Sequence, residues 1–145
     1  MFNQTLRVTT ADLDAQAHVN NVVYVRWIEE VAVAHWLALT TPEVRARIGW
    51  VLVRHEVDYH RPATIGEEIL LRTVVPHMER IKVERHTRVY RLSDGETLVR
   101  SRSLWVPVDP RTGRPVRVGG DLRASFLEAG VALPERLPIT NRSPA

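Results

Sequence analysis

"NVVYVRWIEEVAVAHWLALTT", residues 21–41, holds neither glycine nor proline, and Pro42 follows it directly. A run of this kind predicts one helix from near Asn21 to somewhere between Leu39 and Thr41, because proline lacks the amide that would carry the ladder further. Only Arg26, Glu29 and Glu30 gather on one polar side at helical spacing. Val22, Val25, Trp27, Ile28, Val31, Ala32, Ala34, Trp36 and Leu39 take most of the remaining circumference, so the helix must be wrapped. A lipid-facing span would not carry Arg26, Glu29, Glu30 and His35 together, which excludes a transmembrane reading.

The material for the wrapping lies downstream. "VLVRHEVDYHRP" (51–62) alternates, with Val51, Val53, His55, Val57 and Tyr59 on one face and Leu52, Arg54, Glu56, Asp58 and His60 on the other. "ILLRTVVP" (69–76), "RIKVERHTRVYRL" (80–92) and "TLVRSRSLWVPV" (97–108) are rich in β-branched residues, and Asp94-Gly95 is a hairpin signal between the last two. A short strand, "LRVTT" (6–10), is expected ahead of the helix, and "VRV" (116–118) as an extension of the last strand. The order strand, helix, run of strands does not alternate as a parallel sheet requires. It predicts an α+β fold with an antiparallel sheet around one long central helix. "DLRASFLEAG" (121–130) predicts a short second helix capped by Asp121 and stopped at Gly130. Residues 1–130 are read as one domain and 131–145, with three prolines, as a loosely held C-terminal tail.

A chain of 145 residues can fold around its own core. Cysteine is absent, which excludes thiolate catalysis, disulfides and Cys-ligated zinc, and fits a reducing compartment. The first residues lack the basic-then-apolar pattern of a secretory leader, so a cytoplasmic location is expected. The six histidines show no zinc spacing, and no metal site is expected. Net charge is +3, and Lys82 is the single lysine among 20 basic residues. Arginine suits phosphate recognition, yet it also serves on solvated faces, so the charge alone names no partner.

"DLDAQAHVNN" (12–21) sets two carboxylates, a histidine and several polar groups at the mouth of the helix. Together with "VDYHRPATIGEEI" (57–69) it resembles the hotdog-fold thioesterases of the 4-hydroxybenzoyl-CoA and acyl-ACP thioesterase type. The resemblance runs from about Thr5 to Phe126. It implies that an Asp in the loop acts on the thioester while the first helix amides polarise its carbonyl, the matching positions being Asp14 and Asn21. It also implies a homodimer or homotetramer with sites between subunits, acyl-CoA or acyl carrier protein as the thioester partner, and no cofactor apart from coenzyme A as part of the substrate.

The residues support that chemistry on their own terms. Thioester hydrolysis needs an activated nucleophile and donors for the developing oxyanion. An ionised Asp14 can activate water or attack the carbonyl directly, and unpaired amides at a helix start are natural oxyanion donors. Asp12 is better suited to a turn. His18 stands four residues after Asp14 and is a candidate base or orienting group. Gln16 replaces the Asn found at the similar position of plant acyl-ACP thioesterases, and its extra methylene puts a water-positioning role in question. Tyr24 and Trp27 are candidates to shape an acyl pocket, and the resemblance, which implies that "DYHRPATIGE" lies near the thioester channel, makes Tyr59 and Arg61 candidates to bind substrate, although core packing accounts equally well for Tyr59. Arg80, Lys82, Arg85, Arg88 and Arg91 crowd one strand region, so Lys82 and Arg85 are candidates to receive the phosphates of coenzyme A, a solvated sheet face being the alternative.

Two other functions remain open. A hydratase or dehydratase on the same fold resembles a pattern with Asp and His five apart and proline between, whereas Asp14 and His18 are four apart and Ala17 precedes the histidine. A noncatalytic module could hold acyl-CoA or an acidic polymer through its arginines. Nucleic acid is a poor fit, since neither the aromatic pattern of RNA-binding sheets nor a helix-turn-helix is present.

Overall fold

The computed structural model describes residues 1–138. Helix α1 runs over Asn21–Leu39, within the predicted bounds. Asn20 caps it, its side chain accepting from the Val22 amide, and Pro42 opens a separate short helix, α2 (Pro42–Arg47), that the sequence reading did not foresee. Five antiparallel strands follow the chain as β1 (Phe2–Arg7), β2 (Gly49–Tyr59), β3 (Glu68–Met78), β4 (Val83–Arg91) and β5 (Thr97–Val108). They lie in the order β1-β3-β4-β5-β2. A last helix, α3, spans Gly120–Phe126. This is the hotdog arrangement: one long helix packed on a curved antiparallel sheet.

Three local expectations need correction. The first strand lies over Phe2–Arg7, not 6–10, because Thr10–Asp12 form a 3-10 turn closed by Asp12 against Thr9. The "VRV" segment adds no strand; Val108 and Pro115 meet in a single bridge. Val51 does not share a face with His55, since the register of β2 on β5 shifts between Leu52 and Arg54. One extra residue there moves the alternation by one step.

The core of α1 comes from Tyr24, Trp27, Ile28, Val31, His35 and Trp36, which meet Ile69, Leu71, Val75, Val83 and Val89 of the sheet. The wrapping is one-sided. Val22, Val33 and Leu37 of α1 stay exposed, as do Val51 and Val53 of the edge strand β2. A single sheet layer covers only the face it touches, so the apolar circumference read from the sequence is not all used within one chain.

The other face of the sheet is also covered. Residues 131–138 are not loosely held: Leu137 packs on Leu70 and the fully buried Tyr90, the Tyr90 hydroxyl donates to the Pro134 carbonyl, and Thr97 donates to the Glu135 carbonyl. The proline-rich composition is that of an extended strap rather than a free end. Residues 139–145 of the expected tail lie outside the described residues.

Candidate active site

The loop from Leu13 to Val19 closes on itself by a bridge between those two residues. Within it the Asp14 amide donates to the His18 carbonyl at 2.8 Å, and Ala17 takes a left-handed φ of 60° that lets the chain turn back. Asp14 points one carboxylate oxygen into this turn, where Oδ1 accepts from the amides of Gln16 at 2.9 Å and His18 at 3.3 Å. Its Oδ2 has no hydrogen-bond partner among the described residues. The turn therefore holds the carboxylate by one oxygen and leaves the other available.

The helix start brings backbone donors. Val22 donates to the Asn20 side chain and Val23 to the Asn20 carbonyl, while the Asn21 amide meets no acceptor among the described residues. Orphan amides at this end of a helix carry partial positive charge and suit a developing oxyanion.

Asp14, His18, Asn21, Tyr24, Tyr59 and Arg61 line one concavity of about 220 Å³, together with Val19, His60 and Pro62. Six of the ten candidates from the sequence thus converge. β2 delivers Tyr59, whose hydroxyl donates to the Asn21 carbonyl at 3.2 Å. Beyond it the amides of His60 and Arg61 both donate to the Leu98 carbonyl, turning the chain toward the helix start. Tyr24 is buried, and its hydroxyl accepts from the Ala63 amide at 2.8 Å. Loss of solvent around it pushes its pKa up, so it stays neutral at physiological pH. Arg61 is exposed and pairs loosely with Glu96 at 3.7 Å.

The other four candidates lie elsewhere. Gln16 is exposed and reaches Asp14 only through its backbone amide. Trp27 is buried in the core with its ring edge-on to Tyr24, and does not line the concavity. Lys82 sits exposed in the β3–β4 turn, where its carbonyl accepts from Glu79. Arg85 is not on a solvated face at all: it is 4% exposed, and its Nη1 bonds to Thr73 Oγ1 at 2.9 Å and His35 Nδ1 at 3.0 Å. Strand parity explains this, since Arg85 shares the inner face of β4 with Val83 and Val89. His60, which the sequence reading did not single out as a site residue, joins the concavity because β2 ends one residue before it.

Asp12 takes the turn role. Its Oδ2 accepts from the Thr9 amide and hydroxyl, and its Oδ1 pairs with Arg26 at 3.2 Å.

Residues 8–126 match the model of the thioesterase-like superfamily, and the chain belongs to that family. A search of the curated proteins finds no match. Among solved structures the chain is similar to a 1,4-dihydroxy-2-naphthoyl-CoA thioesterase from Synechocystis, with a TM-score of 0.76 and 13% identity over 87% of this chain and 94% of that one. It is also similar to a thioesterase from Thermus thermophilus complexed with coenzyme A and zinc, with a TM-score of 0.75 and 23% identity over 86% and 90% of the two chains. A Pseudomonas aeruginosa protein matches with a TM-score of 0.79 and 21% identity over 89% and 94%. At these identities the likeness establishes the shared fold.

Proposed function

We propose that this protein hydrolyses acyl thioesters of coenzyme A, with Asp14 as the base or nucleophile and the Asn21 amide as oxyanion donor. The observation that carries the reading is the placement of a free Asp14 Oδ2 and an unpartnered helix-start amide on one concavity. Water, relieved of a proton by Asp14, adds to the thioester carbon; the oxyanion rests on the Asn21 amide; collapse expels the thiolate, which takes the proton back. In the covalent variant Asp14 attacks first and water then cleaves the mixed anhydride. Either route consumes only water and thioester, and coenzyme A enters as part of the substrate.

Val22, Val33 and Leu37 on α1 and Val51 and Val53 on β2 are exposed apolar side chains that a second copy would cover. A homodimer is therefore part of the proposal, supported by the uncapped β2 edge. Acyl carrier protein is the alternative thiol carrier.

The test is thiol release from short, long and aromatic acyl-CoAs by the purified protein and by Asp14→Asn. The substitution keeps the loop's shape and removes its charge. A fall of roughly 100- to 10,000-fold with an unchanged melting temperature supports the assignment. Turnover by Asp14→Asn at the wild-type rate sinks it, and binding of acyl-CoA without any turnover by the wild type makes the chain a binding module.

A further inference from the structure

The second half of α1 covers a cavity of about 80 Å³ that the proposed hydrolysis leaves unused. Trp36, Trp50, Trp105 and Phe126 form its walls, exposed Val33 stands at its rim, and Arg85 lies in its lining. Ala32, at this cavity, is eleven residues along the helix from Asn21, about 16 Å at 1.5 Å per residue, so the two sites occupy opposite halves of α1.

Arg85 is the anomaly. Burying a guanidinium without an anion is costly, and such groups are ordinarily paired. Here no Asp or Glu pairs with it among the described residues. Its Nη1 donates to two neutral acceptors, while Nε and Nη2 have no acceptor among those residues. His35, stacked between Phe2 and Phe126, cannot compensate: burial holds its pKa at about 4, so it is neutral at physiological pH. Arg85, lowered to about 10 by the same cause, keeps its charge. Among the described residues further relief comes from the Phe126 ring, 5.3 Å from the guanidinium carbon. In the same lining, Trp105 Nε1 is buried without a partner among the described residues.

We propose that this cavity binds a small carboxylate with an apolar body, its two oxygens taken by the free Nε and Nη2 of Arg85 and its carbon chain held among Trp50, Trp105 and Phe126. The fork of a guanidinium matches two carboxylate oxygens, and the low dielectric of the aromatic walls strengthens the pair. Size restricts the ligand. The cavity is smaller than the roughly 150 Å³ that admits benzene in an apolar protein interior. The carboxylate and the first carbons of a chain fill it, and the remainder lies along the half-buried Trp50 and Trp105. The inference concerns a site separate from Asp14 and stands whether or not thioester hydrolysis is confirmed.

Three of the four tryptophans line the cavity, which gives a direct readout. Wild-type protein is titrated with pentanoate and with pentanamide, its neutral isostere, while tryptophan fluorescence and the indole N–H signals in nitrogen-proton correlation spectra are followed. Pentanoate should saturate with a dissociation constant on the order of 1 mM, moving the indole signal of Trp105, and the amide should bind at least tenfold more weakly. Arg85→Met should abolish the response, Arg85→Lys should weaken it by loss of the fork, and Asp14→Asn should leave it intact. Should the Arg85 variants fail to fold, the acid-against-amide comparison on the wild type still decides. Equal binding of acid and amide, shifts confined to the Asp14 end, loss of binding in Asp14→Asn, or no saturation by about 50 mM pentanoate overturns the proposal.

Discussion

The Tyr59 hydroxyl donates to the Asn21 carbonyl at 3.2 Å, tying the last residue of β2 to the first residue of α1. The tether runs between the two segments that meet at the candidate site, and the Tyr59 ring also leans edge-on against Tyr24 at 5.9 Å. Tyr59→Phe keeps the ring contact and cuts the tether. One such hydrogen bond is worth about 0.5–1.5 kcal/mol, so kcat/KM for acyl-CoA should fall by roughly 2- to 12-fold with little change in melting temperature. An unchanged kcat/KM would show that the tether does not position the helix start.

Asp12 and Asp14 should separate cleanly into stability and activity. Asp12 is 7% exposed and holds both the Thr9 turn and Arg26. Asp12→Ala should cost about 1–2 kcal/mol in urea unfolding, while Asp14→Asn should cost almost nothing there. Equal destabilisation by the two would remove the distinction.

His35 should make the protein acid-sensitive. Its folded pKa of about 4 lies below the ordinary value of 6.5, chiefly through burial, with the Arg85 charge adding to it. Between these values the unfolded chain takes up a proton that the folded chain refuses, so stability is unaffected above pH 6.5 and declines as pH falls toward 4. The loss is at most about 3 kcal/mol. His35→Gln should flatten the difference in urea midpoints between pH 7 and pH 4.5, and a slope identical to wild type would assign the acid sensitivity to other groups.

The β2 edge should carry the dimer contact. Val53 is 53% exposed at the strand's irregular register position. Val53→Lys places a charge on an edge that a second copy must desolvate. Light scattering should then report a dimer for the wild type and a monomer for the variant; a wild-type monomer at high concentration would defeat the proposal.

Long periodic elements were legible from the sequence, because their signals are statistical over many residues. α1 and β2 to β5 fall where the apolar period and the Asp94-Gly95 turn place them, and Asp14 and Asn21 line one concavity because the loop between them is short. What escaped was local or tertiary. The 3-10 turn at Thr10–Asp12 displaced β1, and the shift beside Val53 reversed the faces of β2. Composition groups Arg85 with the basic residues around it, whereas its odd-numbered parity with Val83 and Val89 points it inward. No pattern in "VALPERLP" foretells that it will lie on the sheet, since its partners Tyr90 and Thr97 come from other strands.

That strap bears on the order in which the molecule assembles. Its anchors are Leu70 of β3, which packs on Leu137, and Tyr90 of β4 and Thr97 of β5, which lie 44 and 38 positions from the strap residues whose carbonyls they bond. Until those three strands are paired the strap has no surface to settle on, and loop-closure entropy opposes any earlier contact. Docking is therefore a late event, and undocking is the first breach when the native state fluctuates. The Leu137 amide, bonded to the Gly95 carbonyl at 2.9 Å, should accordingly exchange with solvent faster than that of Val99 in β5, which is paired on both sides. A Gly95 side chain would meet the Leu137 carbonyl at the turn, so the latch closes only over a residue without one.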